Sequence, residues 1–147
     1  MKFKSLPSQL AALLVTMALT AALASGCDKA NEAAKQAATT AAHAWLAEID
    51  NGQYAQSWQD AATLFQNAVT EQKWEESMTA FRKPLGDLES RNLQSATYAT
   101  QMPGAPDGQY VVMQFDASFA NKKSAIETVT FMLEKDGQWK SSGYFIK

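Results

Sequence analysis

The chain has 147 residues, 46% of them hydrophobic and 19% charged, with a formal net charge of −2. That length suits one domain, and the apolar content argues against wholesale disorder. The charge gives no electrostatic reason to expect nucleic acid as a partner, and one cysteine with one histidine cannot build a zinc finger, a Cys/His catalytic pair or an intramolecular disulfide.

The chain opens with Lys2 and Lys4, followed by an uncharged apolar run from Leu10 to Ala24. That run falls short of the roughly 20 residues a membrane-spanning helix needs, and a basic start before a short apolar segment marks a secretory signal. Leu23-Ala24-Ser25-Gly26-Cys27 resembles the bacterial lipobox. The resemblance implies cleavage before Cys27 and a diacylglyceryl group on its sulfur, so that acyl chains tether the protein to the periplasmic side of a membrane. Ordinary secretion, with cleavage after Ala24, is the competing reading. Asp28 resembles the signal that retains enteric lipoproteins at the inner membrane. The chain thus divides into a signal peptide over 1–26, a lipidated cysteine with a tether or the start of the first helix over 27–37, and a single α+β domain over 38–147.

From about Ala30 the alanine-rich composition predicts a first helix, with Ala38, Ala41, Ala42, Trp45 and Ile49 as its apolar stripe. Asn51-Gly52 is its stop signal. Tyr54, Trp58, Ala61, Phe65 and Val69 share one face of a second helix. Thr70 is placed to cap a third helix, with Glu71 in its first turn and Trp74, Met78, Phe81 and Leu85 as its stripe. Pro84 and Gly86 end it. Aromatic stripes at this spacing read as core.

After Arg91 the period becomes alternating. Arg91 to Met102 reads as a first strand, and 103–108 as a loop by its proline and glycine content. Val111, Met113, Phe115, Ala117 and Phe119 point one way along a second strand, with Gln114, Asp116 and Ser118 opposite. A polar turn over 121–124 leads to a third strand, Ala125 to Glu134. The last hairpin turns at Asp136-Gly137. A three-residue turn with Gly137 left-handed sets Leu133 against Trp139 and Glu127 against Phe145, which puts apolar against apolar at the first contact.

Three N-terminal helices packed on a curved four-stranded antiparallel sheet make an α+β layout. This order resembles the nuclear-transport-factor-2-like cone fold. A narrower resemblance rests on Trp45-Leu46 with Ile49-Asp50, Gly52-x-Tyr54, Ser57-Trp58, Trp74, Arg82-Lys83-Pro84-Leu85-Gly86 and Arg91. Asp107-Gly108-x-Tyr110, Phe115, Phe119, Glu127-Thr128, Asp136-Gly137-x-Trp139 and Gly143-Tyr144 continue it. These residues are similar to the bacterial family called domain of unknown function 4019, whose name implies no assigned activity and whose exported members fit the signal read above.

Glu127 draws attention because its strand face otherwise carries Ala125, Val129, Phe131 and Leu133. A carboxylate on an apolar face must be protonated or paired, and Arg82 and Arg91 are the candidate cations. Two readings stay open: a structural ion pair, or a pocket mouth with Tyr144 nearby that orients a polar ligand. General acid–base chemistry is a third use of the same carboxylate. His43 faces away from the buried stripe, and Asp50 and Asp60 show no partner that would make a dyad. No metal or cofactor motif is present in the sequence. The leading functional expectation is a lipid-anchored domain that binds an envelope protein or a small ligand. A cone-fold enzyme and a homodimeric structural module are the alternatives.

Overall fold

The structure, a computed structural model, describes residues 13–147, with side chains from Gly26 onward. Lys2, Lys4 and the start of the apolar run at Leu10 therefore lie outside the described residues. So do the side chains of Leu23, Ala24 and Ser25 in the lipobox-like segment. Contacts divide the chain into a first unit that ends at Ala33 and a second, Ala34–Lys147. Among the described residues no helix is long and apolar enough to cross a membrane.

Four α-helices precede the sheet: α1 (Leu13–Asp50), α2 (Tyr54–Gln59), α3 (Thr63–Ala68) and α4 (Glu71–Phe81). A 3₁₀ turn at Lys83–Leu85 leads into β1 (Leu88–Ala99), β2 (Tyr110–Phe119), β3 (Lys122–Leu133) and β4 (Trp139–Ile146). The four strands form one antiparallel sheet in the order β1-β2-β3-β4.

Helix α1 begins well before the expected start at about Ala30, and residues 27–37 are helical throughout, with no extended tether in that span. Alanine, the residue with the highest helix propensity, supplies much of that segment. The helix stops as expected at Gly52, whose φ of 72° is left-handed and whose N–H donates to the Ile49 carbonyl. Ala38, Ala42, Trp45, Leu46 and Ile49 are its buried stripe.

The second helix of the sequence reading is two helices. The break falls at Ala61 and Ala62, both buried, where Ala62 turns extended and its N–H donates to the Ser141 carbonyl on β4 at 2.8 Å. Two alanines carry no side chain large enough to hold the backbone away from the sheet. The exposed C-terminal carbonyls of α2 are then satisfied by Gln66, whose Nε2 donates to the Trp58 and Gln59 carbonyls. Ser57, fully buried, ties the aromatic residues together. Its carbonyl accepts from Trp45 Nε1 at 2.7 Å and its Oγ accepts from Trp74 Nε1 at 3.0 Å.

Thr70 caps α4 through its hydroxyl, which accepts from the Lys73 N–H. Trp74 and Met78 are buried, but Phe81 is 78% exposed and does not belong to the core stripe. The helix ends at Phe81, and the 3₁₀ turn swings Leu85 toward a small cluster with Ala117, Phe119 and Ala125. Gly86 is required there. Its φ is 78°, and a Cβ would meet the Cβ of Ala120 at 3.0 Å.

Alternation along β2 is as expected: Val111, Met113, Phe115, Ala117 and Phe119 are buried, and Gln114 and Asp116 are exposed. The β2–β3 turn is tighter than the sequence suggests, because Ala120 and Asn121 alone make it and Lys122-Lys123 belong to β3. Strand β1 starts at Leu88 and ends at Ala99, three residues earlier at each end than expected. In the last hairpin Gly137 is left-handed, at φ 81°, and Leu133 pairs with Trp139. A bulge at Thr130/Phe131 then shifts the register, so Glu127 faces Ile146 instead of Phe145.

Candidate functional site

Glu127 sits in the middle of β3 with no exposed surface, on the side of the sheet that carries Val129 and Phe131. A lone carboxylate there would be strongly destabilising. Three strands and two helix ends supply its surroundings. Arg91, on β1, lies opposite Ala117 of β2, which lies opposite Ala125 of β3. With strands spaced about 4.8 Å apart, Arg91 must reach over β2 to meet Glu127. The two alanines in that row keep the path free of bulk.

The guanidinium of Arg91 grips two carboxylates. Its Nε donates to Glu127 Oε2 at 2.5 Å and its Nη2 to Glu127 Oε1 at 3.1 Å. Its Nη1 donates to Asp50 Oδ2 at 2.7 Å and its Nη2 also reaches Asp50 Oδ1 at 2.9 Å. Tyr144, diagonally adjacent on β4, donates its hydroxyl to Glu127 Oε1 at 2.7 Å. Arg82 does not pair with Glu127. Its Nη2 donates to Asp50 Oδ1 at 3.0 Å, its Nη1 to the Gly86 carbonyl at 2.8 Å, and its guanidinium lies 4.3 Å above the Phe119 ring.

The residue that the sequence reading left aside is Asp50, the acid that bridges both arginines. It stands in the last turn of α1, where the helix dipole repels negative charge. An acidic residue at that end of a helix asks for cations, and this was the available signal. Its partners lie 32 and 41 residues away in sequence, beyond any local pattern.

The four charges cancel in pairs. Burial alone would lower the Arg91 pKa, but its hydrogen bonds to Asp50 and Glu127, with their charges, overcome this and raise it. Burial pushes the Tyr144 phenol well above its ordinary range, and the neighbouring Glu127 charge and hydrogen bond push it further. Tyr144 is therefore a fixed donor. His43 is exposed, as expected, with its ring 5.4 Å from that of Phe115. Among the described residues no three His, Cys, Asp or Glu side chains are placed to hold a metal.

Over residues 41–144 the sequence matches the family described as "Protein of unknown function (DUF4019)". The chain belongs to this family. The matched span includes Asp50, Arg82, Arg91, Glu127 and Tyr144, so the ion network lies wholly within the family domain. No curated protein matches the chain.

A second feature lies beside the network. A groove of about 540 Å³ runs between α4 and the end of β4, lined by Trp74, Met78, Leu85, Tyr144 and Ile146, with Phe81 and Phe145 among its walls. Arg82, Lys122 and Lys147 also line it. Arg82 and Tyr144 thus face two environments, bonding inward to the acids while contributing to the groove. Glu127 does not line the groove.

A third feature is a pair of acids. Glu48 Oε2 is buried without a hydrogen-bond donor, and burial followed by a hydrogen bond and charge from Asp60 pushes the Glu48 carboxyl up to about 7.

Proposed function

We propose that this protein is a lipid-anchored cell-envelope domain that binds a ligand in the α4–β4 groove and carries no catalytic group at Glu127. The anchor is supported by the basic start, the short apolar run and the lipobox-like residues ending at Cys27, which is exposed. Periplasmic location follows from the same signal, and Asp28 favours the inner membrane. The sequence of helices followed by an antiparallel sheet supports a nuclear-transport-factor-2-like cone fold.

One observation carries the binding reading. Glu127 is fully buried with both oxygens already engaged by Arg91 and Tyr144, whereas the groove is open and apolar. A carboxylate so engaged has no access to a substrate proton. The groove, at about 540 Å³, falls within the roughly 300–1,000 Å³ of small-molecule sites.

Mass spectrometry of the protein isolated from its own membranes tests both parts. The expected mature N-terminus is Cys27 with a diacylglyceryl mass, and an unmodified terminus at Ser25 overturns the anchor. Under native conditions a small-molecule adduct is expected, lost when Ser77→Trp fills the groove. An adduct that survives this substitution, or none at all, overturns the groove as the binding site.

A further inference from the structure

The groove's chemistry restricts what can occupy it. Apart from two lysines, its polar side chains are already used. The Ser77 hydroxyl donates to the Lys73 carbonyl, the Tyr144 hydroxyl donates to Glu127, and both terminal nitrogens of Arg82 are engaged by Asp50 and Gly86. A sugar or nucleotide lying there would leave its hydroxyl and amide groups unpaired, a penalty that hydrocarbon avoids.

The charges are uneven as well. The groove is lined by Arg82, Lys122 and Lys147 and by no Asp or Glu side chain. Among the described residues neither lysine ammonium has a carboxylate partner, whereas Lys123, next along β3, is paired with Glu89. Arg82 is 3% exposed, and its Nε is buried without an acceptor.

Trp74 and Arg82, eight residues apart along α4 and its C-cap, stand about 12 Å from each other. Trp74 and Tyr144 meet at one end, with ring centroids 6.1 Å apart. Past Arg82 the Asn121 N–H donates to the Leu85 carbonyl and its Nδ2 to the Pro84 carbonyl, which brings the start of β3 at Lys122 up to the 3₁₀ turn. Phe81 and Phe145, 78% and 60% exposed, offer two further aromatic surfaces to an alkyl chain. An apolar channel lined by cationic side chains and by no Asp or Glu side chain is complementary to a single-chain anionic amphiphile.

We propose that the groove binds a long-chain fatty acid, its carboxylate at the Arg82–Lys122–Lys147 end and its alkyl chain along Met78 toward Trp74 and Tyr144. This names the occupant of the binding site proposed above and rests on that reading. A concave channel, unlike a flat basic face, holds one ligand at a time instead of resting on a bilayer.

Titration of the purified full chain with 9,10-dibromostearate tests the proposal, because bromine on the chain quenches Trp74 in the groove. Saturable partial quenching is expected, with stoichiometry near one. The double variant Lys122→Glu/Lys147→Glu should weaken binding by about tenfold or more while its thermal unfolding stays unchanged. Phe81→Ser, at an exposed position, should weaken it less. Equal affinity for the methyl ester, or no effect of charge reversal, overturns the anionic head. Binding to phosphatidylglycerol vesicles without binding to the free acid overturns a single-ligand channel in favour of a membrane-facing surface. A native adduct lost in Ser77→Trp, together with no quenching by dibromostearate, overturns the fatty acid but keeps the groove as the binding site.

Discussion

Around Glu127 two carboxylates and two guanidinium groups cancel, and each acid accepts from at least one arginine within the fold. Along the groove the same Arg82 and Tyr144 appear again, yet among the described residues two lysines there have no Asp or Glu partner and two phenylalanines stand largely in water. Burial explains the contrast. A charge taken out of water must be neutralised inside the fold, so the network is closed and structural. A charge left at an open wall can wait for a ligand. Arg82 and Tyr144 couple the two regions by bonding on one side and packing on the other.

Substitutions should separate these roles. Arg91→Met is expected to have the largest effect, because it leaves the buried Glu127 without a cation while Asp50 keeps only Arg82. A loss of about 3–5 kcal/mol in urea unfolding is anticipated. A loss under about 1 kcal/mol would show that the network does not hold the sheet to α1. Tyr144→Phe keeps the ring against Trp45 and Trp74 but removes one hydrogen bond to a charged acceptor. It should cost about 1.5–3 kcal/mol of stability and leave groove binding intact. If binding falls and stability holds, the hydroxyl belongs to the groove after all.

The smallest effect is expected at Glu48, whose carboxyl is raised from an ordinary 4.5 to about 7. The folded state then holds a proton that the unfolded state has released. Its contribution is fully present below about pH 4.5 and is lost as pH rises through about 7. Glu48→Gln should flatten this fall in unfolding curves taken from pH 4.5 to 8, and an unchanged slope would assign the pH dependence to other groups.

How far the sequence revealed this molecule depends on the range of the forces involved. Strand β2 was legible because alternation is a local property of residues two apart. Thr70 as a cap and Gly52 as a stop were legible for the same reason. The break between α2 and α3 was not, since Ala61 and Ala62 favour helix and are pulled out of it by a carbonyl on β4, nearly 80 residues later (Ala62 to Ser141). The bulge at Thr130/Phe131 likewise moved Glu127 from Phe145 to Ile146 with no local mark. The buried acid on β3 and its arginine at 91 were found from an apolar face interrupted by charge. Arg82, the other candidate partner for Glu127, bonds Asp50 instead, a bridge that exists only when α1 ends against the sheet.

The irregular first strand has a consequence of another kind. An antiparallel sheet of four strands has two open sides, and an open side with a regular ladder invites a strand from another chain. On β4 the contact from Ala62 already occupies the Ser141 carbonyl. On β1, bulges at Leu88/Ser90 and Leu93/Ser95 interrupt the ladder within twelve residues. An incoming strand would lose register at each of them. The domain is protected from polymerising through that edge by its own unevenness.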